Sequence, residues 1–182
     1  LGGALKPSTG AAVFVDVCGA PGAWSKHLFR LGAEGQMQGY GFSLREGTNP
    51  LSCTWYQELL AREEFTALWG TDGSGDVCVP ANLADAVGHI GRRASIVVAD
   101  GGFGVGVGAA GEHLENYQEI IVSQVLLAEV LLALRTLASG GCFVCKFFDT
   151  FTHLTIGLLY VLAVAFEDVR VVKPRLSRIV NS

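Results

Sequence analysis

The sequence predicts a doubly wound α/β fold built on a mostly parallel sheet. Strand and helix signals alternate from one end of the 182-residue chain to the other, the pattern produced when helices cross between parallel strands. Its apolar runs are near-continuous, with half of all residues hydrophobic and 24 glycines, as expected of strands buried on both faces. Three of those runs end where chemistry could sit. Phe14-Val-Asp-Val-Cys18 leads into a Gly/Pro turn, Val97-Val-Ala-Asp100 into a glycine pair, and Cys142-Phe-Val-Cys145 into Lys146.

Taken in order, the first strand falls near 12–18, and the turn Gly19-Ala-Pro-Gly22 opens a helix over 22–32. A strand running directly into such a turn brings backbone N–H groups and a helix N-terminus to a ligand at the sheet's carboxyl edge. Apolar runs of strand length place further strands near 37–43, 94–100, 141–147 and 168–173. Helices are predicted near 55–64, 80–91, 112–138 and 152–166. Pro80 suits the first turn of its helix, and Gly140-Gly141 closes the 112–138 helix before the strand that carries Lys146. The glycine-rich tract Gly101 to Gly111 reads as one loop. No internal repeat divides the chain, so residues 1–182 are expected to form a single domain.

Composition excludes several classes. The low-charge run Leu154 to Phe166 is shorter than the roughly 20 residues needed to span a bilayer, and Val122 to Ala138 carries Glu129 and Arg135, so both are expected to be core helices and no membrane association is predicted. The opening Leu-Gly-Gly-Ala-Leu-Lys does not read as a signal peptide. Five cysteines, an odd number, sit mostly in apolar runs and are expected to be reduced thiols of an intracellular protein. Cys142 and Cys145 form a CxxC, but residues three apart on a strand point to opposite faces and cannot share a metal. The four histidines show no ligand spacing, and no metal site is predicted. A net charge of −4 argues against a generic nucleic-acid coat. Locally, Arg170, Lys173, Arg175 and Arg178 form a basic stretch with no acid from 170 to the end, which is either a solvated edge or a phosphate-contacting strip.

Right-handed crossovers place the strands bearing Asp16, Asp100 and Lys146 side by side, so these three residues gather at one carboxyl edge. Adjacent strands lie about 4.8 Å apart, close enough for a carboxylate and an ammonium to meet across a ligand. A simple surface ion pair is the plainer account. Against it, a lysine set between Cys142-Phe-Val-Cys145 and Phe147-Phe148 must find a partner or lose its proton.

At this point the chain resembles the FtsJ-like, Rossmann-fold ribose 2'-O-methyltransferases, in particular the branch acting on the cap-adjacent nucleotide of eukaryotic mRNA. Seven motifs in the same order carry the likeness: Asp16-Val-Cys-Gly-Ala-Pro-Gly22, Gly39-Tyr-Gly-Phe-Ser-Leu44, Asp72-Gly-Ser-Gly-Asp-Val77, Ala99-Asp-Gly-Gly-Phe103, Glu115-Asn-Tyr-Gln-Glu-Ile120, Gly141-Cys-Phe-Val-Cys-Lys-Phe-Phe-Asp149 and Lys173-Pro-Arg-Leu-Ser-Arg-Ile-Val-Asn-Ser182. The resemblance implies an S-adenosylmethionine-dependent methyltransferase with capped RNA as partner and an intracellular location, nuclear with the cytoplasm as the alternative. Asp16 and the turn Gly19, Ala20, Pro21, Gly22 would hold the methionine moiety, with Asp100 beside it, and Asp76 would meet the adenine amino group. Asp100 and Lys146 would belong to a Lys-Asp-Lys-Glu tetrad in which Lys146 takes the proton from the ribose 2'-hydroxyl, with no metal. Lys173, Arg175, Ser177, Arg178 and Asn181 would contact RNA, the last three within the family's Ser-Arg-x-x-Asn-Ser pattern.

Two tetrad members have no counterpart in these 182 residues. The family's first lysine lies on a helix upstream of the first strand, and its glutamate, with a final strand, follows Asn-Ser. The resemblance therefore predicts a domain excised from a longer chain, inactive or nearly so without the rest. No acidic residue stands at the ribose-binding end of the second strand, where Glu46 is the nearest substitute. A dinucleotide-dependent oxidoreductase is disfavoured because Gly19-Ala-Pro-Gly-Ala-Trp24 is not Gly-x-Gly-x-x-Gly. The competing reading is a catalytically inactive methyltransferase-like module that binds RNA or protein.

Overall fold

Strand β1 (Ala12–Val17) is buried at every position, and that double burial dictates a layer of helices on each side of it. The structure, a computed structural model, describes residues 11–32, 36–48, 51–102 and 117–174. After β1 come α1 (Ala23–Leu31), β2 (Met37–Phe42), α2 (Gln57–Leu60), β3 (Phe65–Leu68), α3 (Pro80–Ile90) and β4 (Ala94–Ala99). The chain continues through α4 (Gln118–Ile121), α5 (Ser123–Thr136), β5 (Leu137–Cys145) and α6 (His153–Ala165). The sheet order is β3-β2-β1-β4-β5, and every pairing is parallel. The chain winds outward from β1 to β3 and then returns to the other side of β1. The gap between β1 and β4 is thus the topological switch point, where α/β sheets bind their ligands.

Strand alternation sorts the core into two layers. Val13, Val15 and Val17 pack with Val97 and Ala99 against Ala86 and Ile90 of α3 and Leu132 and Ala133 of α5. Ala12 and Phe14 pack on the other face with Ile96, Val98, Leu28 of α1, Trp55 and Leu59. Phe14 meets Phe29 edge-on at 4.9 Å, and Gly39 on the neighbouring strand leaves room for its ring, because a Cβ there would collide with it. Helix α6 packs on α5 through Leu158 and Leu162. Cys142 joins the Phe14 layer while Cys145 packs on the opposite one, as strand alternation requires, and all five thiols are free.

The doubly wound parallel sheet is the one predicted, with local corrections. Strand β3 is an addition to the predicted elements: Phe65-Thr-Ala-Leu68 is four residues long with Thr66 exposed, and the predicted 55–64 helix shrinks to Gln57–Leu60. The predicted 112–138 helix divides at Val122 into α4 and α5 and stops at Thr136, while its residues 112–116 lie outside the described ones. Strand β5 begins at Leu137 rather than 141 and ends at Cys145. No strand forms over 168–173. Val171 and Val172 are 84% and 73% exposed; an extended segment becomes a strand only when its backbone groups join a ladder, and this one does not reach β5. Among the described residues no helix is long and apolar enough to cross a membrane.

Helix α6 is anchored at its start by a buried acid. Glu119 accepts the Thr152 N–H at 2.8 Å and hydroxyl at 2.7 Å, and the Phe151 N–H at 3.0 Å, while Thr152 caps Thr155 at 3.2 Å. Burial alone would raise the Glu119 pKa, but the hydrogen bonds from Thr155, Thr152 and Phe151 together outweigh it and hold the carboxyl down at about 2. A folded value below the ordinary 4.5 gives stability that is full above 4.5 and lost as pH falls toward 2. Glu119→Gln should therefore be less stable than the parent by about 1 kcal/mol at neutral pH, on the scale of a lost cap. Denaturant titrations of the two proteins should converge as pH falls through that window; a difference independent of pH would refute the assignment.

Candidate active site

Three backbone hydrogen bonds step across the carboxyl edge of the sheet and bring the predicted residues together. Cys18 N–H donates to Phe42 O at 2.7 Å, Asp100 N–H to Val17 O at 3.3 Å, and Lys146 N–H to Ala99 O at 3.0 Å. Asp100 and Lys146 each lie one residue beyond the end of their strand. Their side chains meet: Lys146 Nζ lies 2.5 Å from Asp100 Oδ1, with 43% and 42% of the two side chains exposed. The same amine donates to Asp100 O at 3.3 Å and stands 5.0 Å above the Phe148 ring.

Asp16 sits lower, fully buried at the end of β1. Its Oδ2 accepts the Ser25 N–H at 3.0 Å and the Ser25 hydroxyl at 2.7 Å, which ties β1 to the first turn of α1. Its Oδ1 is buried without a hydrogen-bond partner. Desolvation raises the Asp16 pKa to about 6, against the lowering pull of the Ser25 bonds and with a further push from Asp100. Gly19 stands over this carboxylate so closely that a Cβ would overlap it. Gly22 turns the chain into α1 at φ 108°, and a side chain there would strike Leu59 and Trp55. The turn is closed by Gly22 N–H on Gly19 O at 2.7 Å, and Tyr56 N–H grips Pro21 O at 2.9 Å.

Asp76 reaches the same edge on the loop between β3 and α3. That loop is organised by Asn82, a fully buried residue of α3 that no sequence motif marks. Its Nδ2 donates to Asp72 Oδ1 at 2.8 Å, Ser74 Oγ at 3.1 Å and Asp76 O at 3.2 Å, while its Oδ1 accepts the Asp72 N–H at 3.2 Å. Asp76 Oδ1 accepts the Cys78 N–H at 2.9 Å. Gly75, at φ 72°, lets the loop lie against Ser43 O just past β2. Glu46 accepts the Thr54 hydroxyl. Lys173 is exposed, Arg170 pairs with Asp168 at 2.8 Å, and Arg175, Ser177, Arg178 and Asn181 lie outside the described residues.

A second missed residue is Glu129, 1% exposed within α5. Burial pushes its pKa up to about 7, opposed by the Gly101 N–H and by Lys146 and reinforced by Asp100. The signal was there: a lone acid amid the apolar run of a core helix must have partners. Among the described residues no group of three His, Cys, Asp or Glu is placed to hold a metal ion.

A parallel α/β sheet with a glycine turn, a buried carboxylate and a carboxylate–lysine pair at its switch point defines a Rossmann-like ligand-binding domain. The chain belongs to the FtsJ-like methyltransferase family, whose model matches residues 4–182. It is 43% identical over 176 residues to a Trypanosoma cruzi protein named cap-specific mRNA (nucleoside-2'-O-)-methyltransferase 1, covering 95% of this chain and 46% of that protein. Proteins of the same name are 40% identical in Trypanosoma brucei brucei, over 100% of this chain and 47% of that protein, and 37% identical in Mus musculus, over 93% and 20%. The chain thus spans less than half the length of these relatives.

The buried acids make a pH prediction. Asp16 and Glu129 hold their protons more tightly in the folded state, at about 6 and about 7 against ordinary values of 3.8 and 4.5. Stability from their protonated forms is full below the ordinary values and lost as pH rises through the raised ones. Urea unfolding across that window should show wild-type stability declining toward neutrality, and D16N/E129Q should flatten the decline. An unchanged slope in the double variant would contradict the assignment.

Proposed function

We propose that this chain is the S-adenosylmethionine-binding core of an enzyme that methylates the ribose 2'-hydroxyl of the cap-adjacent nucleotide of mRNA. The observation that carries the reading is the Asp100–Lys146 pair at 2.5 Å, open at the switch point of a chain of this family. The relatives' names support the substrate class, and an RNA-capping role implies an intracellular, nuclear site of action. That the chain spans 46% of the Trypanosoma cruzi relative supports reading residues 1–182 as one methyltransferase domain that works with residues of a longer polypeptide, including the tetrad's other lysine and glutamate.

The residues at the β1 turn suit the cofactor. Asp16 Oδ1, buried and unpartnered, complements an ammonium group, and Gly19 keeps the backbone free of any Cβ beside it. We assign Asp16, Gly19, Ala20, Pro21 and Gly22 to the methionine moiety, with Asp100 alongside, and Asp76 to the adenine amino group. When bound, S-adenosylmethionine supplies an electrophilic methyl group. Asp100 orients the Lys146 amine through the contacts to its carboxylate and carbonyl oxygens. As the neutral amine, Lys146 receives the proton released when the ribose O–H bond breaks and the 2'-oxygen bonds to carbon; without such a base a hydroxyl is a poor nucleophile at neutral pH. Lys173, Arg175 and Arg178 are assigned to RNA phosphates, and Ser177 and Asn181 to ribose or backbone oxygens.

The test is methyl transfer from labelled S-adenosylmethionine to capped and uncapped RNA by the full-length polypeptide containing these residues, with nuclease mapping. Cap-dependent ribose labelling is expected, falling by about 10²- to 10⁴-fold in Lys146→Ala while cofactor affinity is retained. Cofactor binding without labelling by the wild type would overturn the reading in favour of a binding module. Separately, Arg178→Ala should weaken RNA binding across sequences and reduce its salt dependence by about one counterion, leaving cofactor affinity unchanged; unaltered RNA affinity would remove that assignment.

A further inference from the structure

We propose that Glu129 is a positioning residue for the Asp100–Lys146 pair, its single carboxylate clamping the ends of β4 and β5 from beneath. The inference rests on reading that pair as the acceptor site. Glu129 Oε1 accepts the N–H of Gly101, the residue after Asp100, at 2.7 Å. Its Oε2 lies 3.8 Å from the thiol of Cys145, the residue before Lys146, which shares its one proton between this oxygen and Lys146 O at 3.7 Å. One group on α5 therefore contacts the immediate neighbour of each member of the pair, where the β4–β5 ladder ends at Ala99 and Cys145.

The approach is too close for a substitute. A Cβ at Gly101 would overlap the Glu129 carboxylate and press on Val125, so the backbone lies directly on the helix. Gly101 is itself buried, and an apolar residue in place of Glu129 would leave its N–H without a partner. The groups facing Glu129 are Gly101 N–H and Asp100 just beyond β4, Cys145 at the end of β5 with Lys146 just beyond it, and Cys18 just after β1. Burial pushes the Cys18 and Cys145 thiols up, which makes them donors to the carboxylate. Neighbouring positions on α5 are plain core, Ala128 and Leu132 among them. Packing alone would place an apolar residue at 129, and the acid is explained by what it holds.

The experiment compares wild type, Glu129→Leu, Glu129→Gln and Lys146→Ala in the full-length protein, with two readouts. The first is kcat and the KM for S-adenosylmethionine. The second is competitive acetylation of the Lys146 amine relative to Lys26, read by mass spectrometry, which needs no turnover. E129L should lower kcat by about tenfold or more, since small misplacements of a reacting group carry losses of that order, and leave KM nearly unchanged. Acetylation of Lys146 should rise about two- to fivefold as the pairing with Asp100 loosens. E129Q, which keeps an oxygen for the Gly101 N–H, should bring both readouts most of the way back to the wild-type values. Either readout remaining at the wild-type value in E129L overturns the proposal, as does E129Q behaving like E129L. If the wild type transfers no methyl group, the functional reading fails while acetylation still decides this one. Should E129L not fold, Glu129→Asp, one methylene short of Gly101, takes its place.

Discussion

The site depends on the three backbone hydrogen bonds that link Phe42 to Cys18, Val17 to Asp100 and Ala99 to Lys146 across the end of the sheet. In a parallel sheet every strand finishes at the same edge, so one ladder sets the height at which each successive side chain emerges. Because both faces of β1 are covered, a polar side chain in the sheet interior has nowhere to go. Chemistry is confined to the carboxyl edge, and the reversal of strand order between β1 and β4 opens a crevice there. Asp16 and Asp100 stand on the two walls of that crevice, and Lys146 arrives from the next strand out.

Charge at this edge is lopsided. Among the described residues, Asp16, Asp100 and Glu129 bring three carboxyl groups to the basic side chain of Lys146, and burial, reinforced by the Asp100 charge, raises the pKa of both buried acids. Two of the three carboxylates are sealed from water, so their mutual repulsion is weakly screened. Such a surplus favours a cationic guest. The proposed cofactor, with both a sulfonium and an ammonium, would meet that requirement, whereas the phosphates of a dinucleotide would be repelled.

Much of this was legible in the sequence, for identifiable reasons. Asp16, Asp100 and Lys146 could be placed because each ends a buried apolar run, and parallel topology turns strand ends into neighbours. The Gly19–Gly22 turn announced itself by composition. What escaped was whatever depended on short or mixed signals. Strand β3 has only four residues with one facing water, too few for a pattern. The 168–173 segment has strand composition but no ladder to join, and composition alone cannot tell the two apart. Asn82 and Glu129 are marked by no sequence motif, for a common reason: each is one buried polar residue in a helix, and its meaning lies in the loop or strand end it holds, tens of residues away in one case and across the preceding loop in the other.

The half-satisfied state of Asp16 links binding to folding. A carboxylate with one oxygen held by Ser25 and the other buried without a donor carries a desolvation cost above that of an unsatisfied neutral group, and the fold accepts it because Oδ2 fastens α1 to β1. The two oxygens thus have different duties, one structural and one facing the Gly19 turn. A guest that donates a hydrogen bond to Oδ1 removes the cost without disturbing the Ser25 contacts, so it stabilises the folded state by an amount set by its concentration and affinity. Protonation of Asp16 relieves the same burden without a guest but removes the negative charge the guest needs. Proton and the proposed cofactor's ammonium would therefore compete for one buried carboxyl, whose pKa is raised first of all by burial.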